Sequence, residues 1–446
     1  RFRVEPRGQF GVVRLQQDFR DGASQVGGIV TGMRRDLPAD GAFDFLSSEA
    51  FSTGVDFEHT WGNREWAFHG FLAGSHVQGD STAIIRLQRA SNHYFHRPDA
   101  RYVAMDSTAT ALTGAEWRLQ LDKRSGEHWT GGVWVAQVTP GFEINDLGFS
   151  QSRERLDGGF RVSYREIQPG DLFRGYNLSF TTYHNWSHDV LEENPLRWAD
   201  WGRAHTSGSF NLSGNMEFLN YWRVDGNVRL SPDNMSRTAT RGGPLMKDPG
   251  SVTAGLRLNT DRRRALSVSP GFEVTRGQDG SGRSFRAGMG MQFRPSPQVE
   301  IEVSPSFNRQ EDGAQYVSAT DALAFDPTYG RRYIFSDLER STFSMDTRVN
   351  MTFSPTLSLQ VFAQPFLSSG KYLTYKQLAR TGSYDFHLFP EGEYGVDEVG
   401  NVLCVGGQSC LDDDEGTRHL DLDGDGEADY AFGDRDFNLR SLLGNA

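Results

Sequence analysis

Apolar and polar residues alternate along nearly the whole chain in strand-length runs separated by turns. The stretch 216–230 shows this most clearly. Met216, Phe218, Trp222, Val224, Val228 and Leu230 share one parity, with Asn220 and Gly226 between them. Glu217, Arg223, Asp225, Asn227 and Arg229 share the other, interrupted by Leu219 and Tyr221. Side chains of a β-strand point alternately to its two faces. The stretch is therefore expected to be one strand with an oily face and a mainly charged face. The same alternation recurs at 115–122, 251–259, 285–293, 299–304 and 345–353, and no helical periodicity of comparable length competes.

Short connections are expected at 61–64, 122–126, 168–171, 212–215, 259–263, 294–297 and 354–356. Longer, irregular connections are expected at 35–48, 78–112, 139–155, 186–199, 231–248, 309–335 and 368–435. A soluble sandwich or propeller buries its oily face and has no reason to sort its loops by length. An outer-membrane barrel shows that face to lipid, keeps short turns at the periplasmic end and carries long loops outside. The expectation is an all-β, transmembrane, antiparallel up-and-down β-barrel of about 16–18 strands with long extracellular loops. Residues 1–446 form one barrel domain on this reading, with loop insertions at 78–112 and 368–435.

Composition changes this picture little. The mean hydropathy is −0.56, and no run of about 18 apolar residues is present, so no transmembrane helix is expected. Barrels place apolar residues in only half of each strand, so low hydropathy agrees with them. Aromatics are 12% of the chain, led by 31 Phe, which suits interfacial girdles or ordinary packing. Of 58 acidic residues, 15 lie between Glu391 and Asp436, so one segment carries the net charge of −12 and nucleic-acid binding has no support. No signal peptide precedes Arg1, and the alternation from Phe437 stops at Ala446 without a terminal aromatic. The chain is thus expected to be part of a longer Gram-negative precursor.

The acidic segment holds the one metal-like signature. Asp421, Asp423, Asp425 and Asp429 stand at positions 1, 3, 5 and 9 of a loop with Gly426 at 6, and the Glu427 carbonyl at 7 offers another oxygen. Calcium takes six to eight oxygens, and such spacing converges them. The run resembles calcium loops of EF-hands, dockerins and thrombospondin type 3 repeats. Phe432 replaces the bidentate Glu of an EF-hand at position 12, leaving Asp434 or Asp436 to complete the shell. A solvated acidic loop is the alternative. Cys404 and Cys410 are the two cysteines and flank a Gly-rich ring, so export predicts a disulfide; zinc lacks two further ligands at suitable spacing.

Ser81 is expected to cap a helix with Ile84, Ile85 and Leu87 on its apolar stripe, ended before Pro98. Arg86, Arg89, His93, Tyr94, His96 and Arg97 follow closely and suit a sugar or anionic ligand, or dock the loop on the barrel wall. His69, His184, His188 and Asp189 are the candidates for catalysis, yet no nucleophile elbow, His-Glu-x-x-His run or phosphate loop accompanies them. Glu192 and Glu193 read as a solvated pair. Structural roles outweigh an enzyme.

Three strings, 87–100 (LQRASNHYFHRPDA), 140–149 (PGFEINDLGF) and 364–372 (QPFLSSGKY), resemble a large bacterial family. Its members join a carbohydrate-binding-module-family-9-like domain to a C-terminal domain of unknown function predicted to be an outer-membrane barrel. The Asn145–Phe149 string is the most specific part. The sugar-binding-like domain has no counterpart in this chain. Some members are labelled hydrolases, but no catalytic residues carry over. The resemblance implies architecture and outer-membrane location. A channel or uptake protein for glycans or other polar solutes is the first functional expectation. A scaffold barrel whose loops bind a surface partner is the second, and an outer-membrane hydrolase the third.

Overall fold

The computed structural model describes residues 5–150, 154–192 and 194–445; Glu193 and both chain ends lie outside them. Eighteen strands join one sheet. Neighbours along the chain pair antiparallel, so the fold is all-β and up-and-down, as the alternation predicts. The residues divide into two compact units: one of 1–165, 179–210 and 234–245, the other of 166–178, 211–233 and 246–446.

In the first unit, Arg7–Phe19, Ser24–Asp36, Ser47–Trp61, Trp66–Gly79, Ala111–Lys123, Trp129–Val138 and Arg155–Glu166 pair in order. Val55 lies opposite Leu72 and Leu72 opposite Trp117, while Leu119 lies opposite Val135. In the second, Arg223–Ser231, Ser251–Asn259, Leu266–Gly277, Gly282–Ser296, Val299–Thr320, Arg332–Ser354, Leu357–Leu378 and Phe437–Asn445 pair in order. Its cross-strand row runs Leu256, Phe272, Ala287, Phe307, Phe343, Leu367. These apolar faces are open: Val55 is 57% exposed, Leu72 54% and Leu256 46%. Soluble monomers rarely expose an apolar patch beyond a few hundred Å². The sheet has the face segregation of a transmembrane barrel wall.

The stretch 216–230 is a hairpin, not one strand. His205–Phe218 runs straight through the turn expected at 212–215. The chain reverses at 219–221, where Tyr221 is left-handed, the Asn220 side chain accepts from the Trp222 N–H, and the Phe218 N–H donates to the Trp222 carbonyl at 2.8 Å. A three-residue loop keeps parity, because residues opposite each other share a face. The alternation therefore crosses the turn unbroken.

Three strands are longer than expected. Val299–Thr320, Arg332–Ser354 and Leu357–Leu378 have 22, 23 and 22 residues, against about 9–11 needed to span a bilayer. The segment read as a loop at 309–335 is in large part their projecting ends, and the one from 368 begins with such an end, which runs to Leu378. Residues 332–336 are buried consecutively, packed on both faces, and so show no period of two.

The packed cores sit in the loop regions. In the second unit Val317, Ile334, Tyr375, Phe389, Leu420, Leu422 and Phe432 cluster together. They join the projecting strand ends to a cap made of short strands, Glu393–Val396 with Val402–Val405, and Ser409–Asp412 with Thr417–Leu420 and Tyr430–Gly433. The acidic segment thus has a core of its own. In the first unit Met33, Ala50 and Val77 pack with Leu87 and Leu147.

Candidate functional site

The polar strand face of the second unit forms a groove of about 510 Å³. Its floor is glycine: Gly271 lies opposite both Arg257 and Gly288, and Gly255 opposite Asn227 and Glu273. Glu273 in turn lies opposite Arg286. Ion pairs line this face elsewhere. Arg223 holds Asp225 at 2.6 Å and Arg294 holds Glu300 at 2.7 Å. At the short-turn end Arg174 and Arg263 each lie over the Tyr221 ring, 4.1 and 3.1 Å from its centroid. The surface can carry a hydrated, hydrogen-bonding solute.

In the first unit the helix is Ser81–Arg89, but its cap is Asp80, whose carboxylate accepts from the Thr82 N–H at 2.8 Å; Ser81 is already inside. Ala83, Ile84 and Gln88 are buried. The expected ligand-contact residues do not share one surface. His93 is buried between the Pro140 carbonyl at 3.0 Å and Glu143 at 2.9 Å. Arg97 is buried 3.4 Å from Asp99. Arg86 lies over the Phe45 ring at 5.2 Å. Arg86, Arg89 and His96 face outward, and Tyr94 stacks edge-on with His96. Burial pushes the Tyr94 hydroxyl above the usual tyrosine range.

The family-specific string is a latch. Glu143 holds His93, Asp146 pairs with Arg35 at 2.8 Å, and Leu147 enters the core. Gly114 and Gly141 let the backbones touch: a Cβ at Gly114 would fall 2.0 Å from the Phe142 nitrogen. The loop is docked by buried charge, in line with the docking reading of the sequence.

In the second unit's cap, carboxylate oxygens of Asp421, Asp423 and Asp429 lie within 4.8 Å of one another. Gly424 and Gly426 are left-handed, and their N–H groups donate to Asp421 at 2.6 and 2.9 Å. Burial, then the neighbouring carboxylates, raises Asp429 above the usual carboxylate range. Asp425 accepts instead from the Glu427 N–H, and Glu427 is near Asn401. Phe432 packs on Tyr375, and Asp436 accepts from the Tyr372 N–H, so neither joins the cluster. Cys404 and Cys410 form the disulfide, with Cα atoms 5.2 Å apart.

The catalytic candidates lie in separate networks. His69 meets Asp122 at 2.8 Å and His184 meets His205 at 3.0 Å. His188 Nε2 lies 3.0 Å from Gln137, while Ser187 donates to Asp189 and Glu154. Burial keeps His188 below the usual histidine range and Asp189 above the carboxylate range. Sequence reasoning missed Glu154 and Arg237, a buried ion pair beneath Ser187. Single charged residues in irregular segments carry no periodic signal.

The fold and these surfaces define a large antiparallel β-wall protein with one apolar and one polar strand face. The chain belongs to the family described as Domain of unknown function (DUF5916), whose model matches residues 63–398. No curated protein matches it. Among solved structures it is similar to a ferric enterobactin receptor variant from Pseudomonas aeruginosa, at 10% identity and TM-score 0.42, covering 100% of this chain and 79% of that one. It is also similar to the FrpB iron transporter from Neisseria meningitidis, at 10% identity and TM-score 0.40, covering 98% and 74%. A third is an anion-selective porin from Comamonas acidovorans, at 9% and 0.28, covering 70% and 92%. Likenesses this loose carry no inference about solute or mechanism.

Proposed function

We propose that this protein is a bacterial outer-membrane β-barrel that passes polar solutes, glycans among them, with its long loops outside the cell. The supporting observation is the open apolar row Leu256–Phe272–Ala287–Phe307–Phe343–Leu367 backed by a face of paired ions and glycine. Lipid solvates the first and water the second. The purified chain should give discrete conductance steps in planar bilayers. Inserted protein that conducts nothing would remove the channel and favour a scaffold, for which the latched His93–Glu143 loop supplies a rigid outer surface.

Within this reading, Asp421, Asp423 and Asp429 bind one calcium that tightens the cap; their convergence is the support. Calcium should slow proteolysis in 412–430, and Asp423→Ala should abolish the effect. Equal cleavage in calcium and in chelator would contradict it.

A further inference from the structure

Two arginines line the glycine-floored groove. Arg223 and Arg294 each hold a carboxylate. Arg257 and Arg286 have no ion-pair or hydrogen-bond partner among the described residues, and both are exposed on the polar face. Glu273, directly opposite Arg286 in register, is not within ion-pair distance of it. Asp225, the other acid of the groove, is already engaged by Arg223 and by Asn259 at 2.8 Å. The groove therefore keeps two cations against one free carboxylate.

Glycine shapes what these groups can reach. A Cβ at Gly271 would stand 3.4 Å from Arg257 Nε, so the guanidinium lies along the floor instead of pointing straight out. A Cβ at Gly255 would stand 2.7 Å from Asn227 Oδ1, so that amide lies flat beside it. Gly288 continues the floor toward Ser306. Arg257 and Arg286 pair to positions two residues apart on the strand between them, Gly271 and Glu273. At about 4.8 Å between strands, two long side chains two strands apart can close on one small solute.

We infer that this groove is a binding subsite for a carboxylate-bearing polyhydroxyl solute, a sugar acid, gripped by Arg257 and Arg286. The inference rests on the channel reading and names the solute class. A guanidinium presents a planar fork matched to a carboxylate. Asn227 and Asn215 offer amide donors and acceptors to hydroxyls, and Glu273 accepts from them. The volume is that of an ordinary small-molecule pocket.

The test compares glucuronate with glucose, which differ in the carboxylate. Binding is measured on the whole detergent-solubilised protein by titration calorimetry, and permeation by swelling of loaded liposomes. The wild type should bind glucuronate in preference to glucose. Arg257→Gln with Arg286→Gln should cut that preference roughly tenfold, as expected for loss of charge-assisted hydrogen bonds. Arg294→Gln, on the same face but already paired with Glu300, should leave it intact and controls for general charge loss. Heat-dependent gel mobility scores folding of each variant, and the two single variants serve if the double one misfolds. Equal binding of the two sugars by the wild type, or a preference that survives in folded variants, overturns the subsite. Selective binding without swelling by either sugar leaves the subsite standing and refutes the channel.

Discussion

The strand wall and the loop caps use the same residue types in opposite ways. On the wall, Leu256, Phe272, Val274 and Phe285 are open to the surroundings, while Arg257, Glu273 and Arg286 stand on the other face. In the second unit's cap, Ile334, Tyr375, Leu420 and Leu422 are buried, and Arg332 is buried with them, donating to Gln377 and to the Leu422 carbonyl. In the first unit's loops the His93–Glu143 pair is almost wholly buried. A cap in water must bury oil and satisfy whatever charge goes in with it. A wall in lipid needs no such burial. The contrast is between two solvents, not two kinds of core.

Breaking a cap from within should cost most. Glu143→Ala strips His93 and the Asn145 N–H of their acceptor, and about 3–5 kcal/mol should be lost in urea unfolding from vesicles. A loss below 1 kcal/mol would show that this loop is not held by its buried pair. The wall comes next. Leu256→Arg, central in its strand, should cost about 2–4 kcal/mol if it lies at the bilayer midplane, while Thr253→Arg on the polar face should cost far less. Val224 is the second residue of its strand and sits near the turn, where the same change is expected to be mild. Reducing Cys404–Cys410 opens a small ring, and about 2 kcal/mol of local cap stability should go with it, read as faster proteolysis at 400–412.

The smallest effect is on pH. Burial holds His188 below its ordinary value, so the neutral ring is favoured in the folded loop. Its contribution is present above the unfolded histidine pKa of about 6.5 and is lost as pH falls through the folded value. Asp189, shifted up, acts oppositely and at lower pH, across the carboxylate range. Acidification from pH 7.5 to 5.5 should therefore loosen this loop, and His188→Gln should flatten the dependence in amide exchange.

Much of the wall was legible because a strand with two different solvents has a strict period of two. Val252, Ala254, Leu256 and Leu258 announce their face without help from any other segment. Where both faces are packed, as at Tyr333, Ile334 and Phe335, the period vanishes and strand ends read as loop. The turn at Asn220–Tyr221 stayed hidden because a three-residue loop preserves parity, and Leu212–Asn215 looked like a turn by composition alone. The disulfide followed from there being two cysteines. The scatter of Arg86, His93 and Arg97 onto different surfaces was not legible, since His93 is held by Glu143 from a distant loop. The unpaired state of Arg257 and Arg286 depends on register, which sequence alone left open.

The central claim, that the open apolar row faces lipid, is tested most directly by a labelling scan of one strand. Both native cysteines are paired, so single cysteines at positions 252 to 258 can each carry a fluorophore in reconstituted protein. Lipid-borne quenchers should act on labels at 252, 254, 256 and 258, and aqueous iodide on those at 253, 255 and 257, in strict alternation. Iodide access at every position, or protection of the even positions from both quenchers, would contradict a lipid-facing wall.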